Sequence, residues 1–124
     1  MSMTATAPVD AGPRVLLVED EYFIAEDLRR ALEDAGIDVL GPVPTAVEAL
    51  GLISASARID AAVLDINLEG DGLVYPVADA LQARGVPFVF ATGYDGTAIP
   101  ARFAGTRRFE KPFDPVKVAR SLFK

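Results

Sequence analysis

The 124-residue chain has no cysteine and no histidine. Without thiols it can form neither disulfides nor a thiolate nucleophile. Without imidazole it cannot itself be a phosphohistidine donor, and most transition-metal sites lose their commonest ligand. No apolar stretch approaches the roughly 20 residues of a membrane-spanning helix. The first residues also lack the charged-then-apolar plan of a signal peptide, so a cytoplasmic location and no membrane partner are expected. Long basic runs are missing, and the net charge of −6 argues against direct contact with nucleic acid. What is present is 51% hydrophobic residues, enough for one core in a chain too short for a second folded domain.

Residues 1–13 are small, polar and punctuated by Pro and Gly, which predicts a flexible N-terminal tail ahead of a folded domain over 14–124. Val15 to Val18 reads as a strand. Ile24, Leu28, Ala31, Leu32 and Ala35 then recur at helical spacing, with Gly36 placed to end that helix. Ile37 to Leu40 reads as a second strand. Thr45 and Glu48 form a capping box for a helix through about Ser54, weakened by Gly51 by about 1 kcal/mol.

Ala61 through Leu68 is an apolar run interrupted by the carboxylate of Asp65 and bounded by the turn residues Glu69 to Gly72, the pattern of a strand buried on both faces. A third helix is expected from near Val74 to Gly85, with Pro76 in its first turn. Phe88 to Ala91 is a fourth strand and Arg107 to Glu110 a fifth. Between them Gly96, Pro100 and Gly105 leave room only for a short or disordered fourth helix. Asp114 caps and Pro115 opens a last helix through about Phe123, with Val116, Ala119, Arg120 and Phe123 in register. Five β/α alternations with short crossovers require an α/β fold, a doubly wound five-stranded parallel sheet between two helical layers.

In such a sheet ligands bind beyond the carboxyl ends of the strands. There the first strand runs into Glu19-Asp20-Glu21, the third into Asp65, the fourth into Thr92-Gly93 and the fifth into Lys111-Pro112. An acidic pair, an Asp, a Thr and a Lys-Pro in this order resemble the receiver domain of bacterial response regulators over about residues 14–124. Phe90-Ala91-Thr92-Gly93-Tyr94 further resembles the hallmark of the FAT GUY subfamily of receivers.

The resemblance implies a flavodoxin-like (βα)5 domain of strand order 2-1-3-4-5. It also implies two-component signalling in which Asp65 accepts a phosphoryl group from a histidine kinase, HWE-type in this subfamily, or from a histidine phosphotransfer protein. Asp65 would then be both nucleophile and metal ligand, Asp20 a direct ligand, Glu19 a ligand through water, and the Asn67 carbonyl another, for magnesium or manganese. Lys111 would bind one phosphoryl oxygen and Thr92 another, and Lys111-Pro112 would be cis. Such proteins assist their own phosphorylation rather than turn over a substrate, work in general stress signalling, and here would signal by protein contact or serve as a phosphate sink or shuttle.

Elementary electrostatics supports the cation: carboxylates gathered on adjacent strand ends repel unless a hard divalent ion sits among them. Glu21 is read as a first-turn charge favoured by the helix dipole. Two departures from the family pattern stand out. Arg108 occupies the position of the usual switch aromatic, so Tyr94 is expected to replace it as the segment Tyr94 to Gly105 orders on phosphorylation, and the connection from Asp65 to Gly72 is short and lacks a proline. Three competing readings differ at named residues. A dehalogenase-type phosphohydrolase needs an acid where Asn67 stands, a flavin module would have its phosphate repelled by Glu19-Asp20-Glu21, and a pseudo-receiver would bind partners without being phosphorylated.

Overall fold

Five strands rich in Val, Leu, Ala and Phe lie side by side and parallel in the computed structural model, which describes residues 12–68, 72–93 and 99–123. They are β1 (Arg14–Val18), β2 (Asp38–Val43), β3 (Ala61–Asp65), β4 (Phe88–Thr92) and β5 (Arg108–Glu110), and the sheet order is β2-β1-β3-β4-β5. The order expected from the sequence is therefore found. Between the strands run α1 (Tyr22–Asp34), α2 (Ala46–Ala55) and α3 (Tyr75–Ala83), and α4 (Pro115–Ser121) closes the chain.

Side chains of a strand point alternately to opposite faces, and here the alternation sorts the core into two layers. Leu16, Val18, Ala62, Leu64 and Phe90 pack with Ala49 and Ile53 of α2 and with Val77 and Leu81 of α3. Val15, Leu17, Val63 and Val89 face the other way, against Leu28 and Leu32 of α1 and Val118 and Ala119 of α4. With both faces covered, all five residues of β3 are buried, as an apolar run of that kind requires.

Thr45 caps α2, accepting the Glu48 N–H at 3.1 Å, while its hydroxyl donates to the Glu48 carboxylate at 3.1 Å. Asp114 likewise accepts the Val116 N–H at 2.9 Å at the head of α4, with Pro115 following. Gly36 takes φ +83° after α1, a backbone region that favours glycine.

Three details differ from the sequence expectation. β2 continues past Leu40 to Val43 because Gly41 adopts φ +102° next to β1, where a Cβ would stand 2.8 Å from the Leu17 carbonyl oxygen. The run from Ala61 to Leu68 is not one strand: it bends at Ile66, and Asn67–Leu68 turns to pair antiparallel with Gly72–Leu73. In α4 the buried residues are Val118 and Ala119, whereas Val116 and Phe123 are nearly half exposed. The fourth crossover, where described, holds only a short 3-10 turn, Ala101–Phe103, in keeping with the short fourth helix expected there. The Lys111–Pro112 bond is cis as expected, and so is Gly41–Pro42, which was not anticipated. The tail over 1–11 and Tyr94 lie outside the described residues.

Candidate functional site

The carboxyl ends of β1, β3, β4 and β5 converge on one cleft. Beyond Val18, the Glu19 N–H still donates to the Val43 carbonyl at 3.0 Å, which extends the β1–β2 ladder and turns the Glu19 side chain inward. Glu19 is 3% exposed, Asp65 2% and Thr92 2%, the three buried polar residues among those described. One carboxylate oxygen of Glu19, Oε2, accepts the Glu21 N–H at 3.1 Å and the Lys111 ammonium at 3.1 Å. The other, Oε1, is buried with no partner among the described residues.

Asp65 ends β3. The next residue, Ile66, donates its N–H to the Ala91 carbonyl at 2.9 Å and so keeps the chain against β4 for one more position. That holds the Asp65 carboxyl in place: Oδ1 accepts the Asn67 N–H at 3.2 Å, and Oδ2 lies 3.4 Å from the Lys111 Nζ. Thr92 stands one residue beyond the Asp65–Ala91 pairing, and its carbonyl accepts the Lys111 N–H at 2.8 Å. The ladder between β4 and β5 thereby sets Lys111 beside Thr92. Asp20 is partly exposed and shares a hydrogen bond with the Asp65 side chain.

Together Asp20, Glu21, Tyr22, Asp65, Asn67, Gly93 and Lys111 line an open cleft of about 570 Å³. Burial, reinforced by the Glu19 charge, pushes the Asp65 carboxyl from 3.8 up to about 8, against the opposing pull of Lys111. For Lys111 the balance reverses: burial lowers its pKa, but the charges of Asp65 and Glu19 outweigh that and raise it. An Asp in this setting keeps its proton at neutral pH until further positive charge arrives.

Ligand oxygens of Glu19, Asp20 and Asp65 lie within 4.8 Å of one another. Oxygen donors suit a hard divalent cation, and a buried carboxylate oxygen without a partner is the vacancy in bonding that such a cation, directly or through its water, would satisfy. The residues therefore fit magnesium or manganese.

Of the residues singled out from the sequence, Glu19, Asp20, Asp65, Thr92 and Lys111 gather at the cleft and Asn67 lines it. Arg108 is exposed on β5, so no aromatic side chain occupies that place. Glu21, read as a first-turn charge, sits at the N-cap of α1 and gives its main-chain N–H to Glu19. Tyr22 was not singled out. Its signal is an aromatic pair on a face that the apolar periodicity of α1 leaves outside: Tyr22 and Phe23 are both strongly exposed, their rings edge to face at 5.3 Å.

No protein-family model matches the chain. The phyllosphere-induced regulator PhyR of Methylorubrum extorquens is 35% identical over 117 residues, a match covering 89% of this chain and 42% of the regulator, so the chain spans less than half the length of that curated relative. The solution structure of SdrG from Sphingomonas melonis Fr1 superposes with a TM-score of 0.77 at 39% identity, covering 92% of this chain and 98% of SdrG. SdrG in a BeF3-activated conformation, from Pseudomonas melonis Fr1, gives 0.70 at 41% identity, covering 88% and 93%. A CheY-like response regulator receiver domain protein from Methanospirillum hungatei JF-1 gives 0.74 at 26% identity, covering 88% and 89%.

Proposed function

The chain belongs to the receiver-domain family of response regulators, and on that footing we propose that it is a phosphoryl-accepting switch with Asp65 as the acceptor. The observation that carries this reading is the setting of Asp65: buried at a strand end, held by the Asn67 N–H, faced by Lys111 and flanked by Glu19 and Asp20.

Receiver domains take phosphoryl groups from kinases or phosphotransfer proteins. Here a carboxylate oxygen of Asp65 attacks the phosphorus of a partner's phosphohistidine. The P–O bond forms, the P–N bond breaks, and the electron pair leaves with the imidazole, which takes up a proton. Lys111 donates from its ammonium to one phosphoryl oxygen, and the Thr92 hydroxyl donates to another. Glu19, Asp20, Asp65 and the Asn67 carbonyl would hold a magnesium or manganese ion, whose charge would offset that of Asp65 and of the phosphoryl oxygens. The fixed positive charge of Lys111 opposes the rise of the Asp65 pKa in the same sense but does not overcome it, so the added charge of the cation would be what makes the carboxylate available. Water later hydrolyses the acyl phosphate in the same cleft, returning Asp65 and inorganic phosphate. The protein thus assists its own modification and is not an enzyme acting on a separate substrate.

The output is protein contact, with Thr92 and Tyr94 carrying the change outward. The sequence from Phe90 to Tyr94 supports placement in the FAT GUY subfamily, and with it an HWE-type kinase and general stress signalling. The test is transfer of labelled phosphate from an autophosphorylated HWE-type kinase. Label is expected on the wild-type chain and absent from Asp65→Asn. Equal labelling of that variant would remove Asp65 as acceptor.

A further inference from the structure

The two helical layers differ in charge. α1 carries six charged residues in thirteen, whereas α2 carries one in ten, Glu48, and α3 one in nine, Asp79. Asp79 is already met by Arg102, at 2.8 and 3.0 Å. On a chain of net charge −6 the outer face of α2 is thus nearly neutral. Depletion of charge, more than bulk hydrophobicity, marks the centre of a protein–protein interface.

Positions four apart lie on one face of a helix. With Ala46, Ala49 and Ile53 buried inward, Val47, Gly51 and Ala55 form the outward face of α2, and all three are exposed. Val47 is 68% exposed, and the partly buried Leu50 and Leu52 extend the apolar surface on its flanks. Nothing lies within 4 Å of a Cβ added to Gly51, so a second helix can approach the backbone there.

The two ends of α2 carry opposite charges that are not paired with each other. Glu48, in the first turn, accepts the Thr45 hydroxyl at 3.1 Å and pairs with no cation among the described residues. At the far end the Arg84 guanidinium donates to the carbonyls of Ile53, Ser56 and Ala57 at 2.6, 2.9 and 3.2 Å. Those bonds fix it beside the last turn, and it too meets no opposite charge among the described residues. A two-fold axis through Gly51, close to the midpoint of Ala46–Ala55, sets two copies of α2 antiparallel. Val47 then faces Ala55 of the second copy, and each Glu48 faces the end of the other helix that holds Arg84. The face is complementary to itself in both shape and charge.

We propose that the outer face of α2 is the contact between two copies of this chain. The helix is about 15 Å long and, with α3 alongside, presents a face about 20 Å wide. That is short of the roughly 800 Å² per partner of a standard interface, so the dimer is weak and forms at high concentration. None of these α2 residues lines the cleft around Asp65, and the inference does not depend on phosphoryl acceptance.

The test is sedimentation of the full chain from about 20 μM to about 1 mM, with amide NMR shifts followed over the same range. The expected result is a mean mass that climbs toward the dimer, with concentration-dependent shifts centred on residues 47–55. Val47→Glu places an unpaired charge in the contact on both copies and should weaken association at least about tenfold. Glu48→Arg, which faces the other copy's Arg84 with a like charge, should weaken it as well. Phe23→Glu, at an exposed aromatic on α1, should leave it unchanged. A mass that stays monomeric at every concentration, shifts centred elsewhere, a dimer indifferent to Val47→Glu, or equal loss in Phe23→Glu would overturn the proposal. The wild-type shifts test it even if a variant fails to fold.

Discussion

Replacing Asp65 by asparagine is expected to stabilise the metal-free protein, and to do so increasingly as pH rises. Burial and the Glu19 charge push the Asp65 carboxyl from 3.8 up to about 8. The folded chain therefore keeps a proton that the unfolded chain has released, and the resulting destabilisation is absent below 3.8, grows from there to about 8 and is complete above it. Lys111 is raised above 10.5, so its stabilising share is fully present below that value and constant across the same window. At pH 7 the distance from 3.8 corresponds to ~4 kcal/mol at about 1.36 kcal/mol per pH unit. Asp20 and Asp65 line an open cleft, and solvent screening there leaves about 2 kcal/mol. For a chain of this size that is about 8 °C in Tm. The asparagine keeps the shape, and Lys111 retains its 3.1 Å contact with Glu19. Urea unfolding of both proteins in chelator, between about pH 5 and pH 8, reads the difference directly. An advantage for Asp65→Asn that stays flat or shrinks with rising pH would refute the reasoning.

Other consequences follow from the same geometry. Magnesium at ten times its Kd should raise the stability of the wild-type chain by about 1.4 kcal/mol, and that of Asp20→Asn or Asp65→Asn by less than half as much; equal gains in thermal melts would place the ion elsewhere. Gly51 is exposed in α2 with no heavy atom within 4 Å of an added Cβ, so Gly51→Ala should gain about 0.5–1 kcal/mol in denaturant unfolding, and a loss would contradict the open space there. Val118→Ala should cost about 1.5 kcal/mol and Val116→Ala no more than about 0.5 kcal/mol. The reverse ranking would mean that α4 docks by another face.

The site was legible because its chemistry is carried by residues that end strands. Strands β1, β3 and β4 are nearly pure apolar runs, so the polar residue after each is conspicuous, and a parallel sheet puts those ends at one edge. Asp65 and Glu19 could be named without knowing a single distance. What the pattern could not supply was the pairing: that Lys111 reaches both Glu19 and Asp65 follows from the β4–β5 register.

The misread register of α4 has a similar cause. Seven residues make about two turns. With valines at 116 and 118 on different faces, periodicity alone does not choose between them, and packing on Leu28 and Leu32 of α1 decides. β2 was read short because Pro42 looks like a strand terminator, whereas an edge strand tolerates it beside a glycine of positive φ. The hairpin after Asp65 was missed because two-residue strands carry no periodic signal. Tyr22 went unnoticed because its role depends on the cleft beside it, which no sequence window contains.

The most direct measurement of the central claim is the intact mass of the protein after incubation with magnesium and acetyl phosphate as a small phosphoryl donor, with a phosphorylated kinase as the alternative donor. The account predicts the addition of one phosphoryl group, lost in Asp65→Asn and lost when magnesium is withheld. Addition that survives Asp65→Asn, or no addition from either donor, would contradict it.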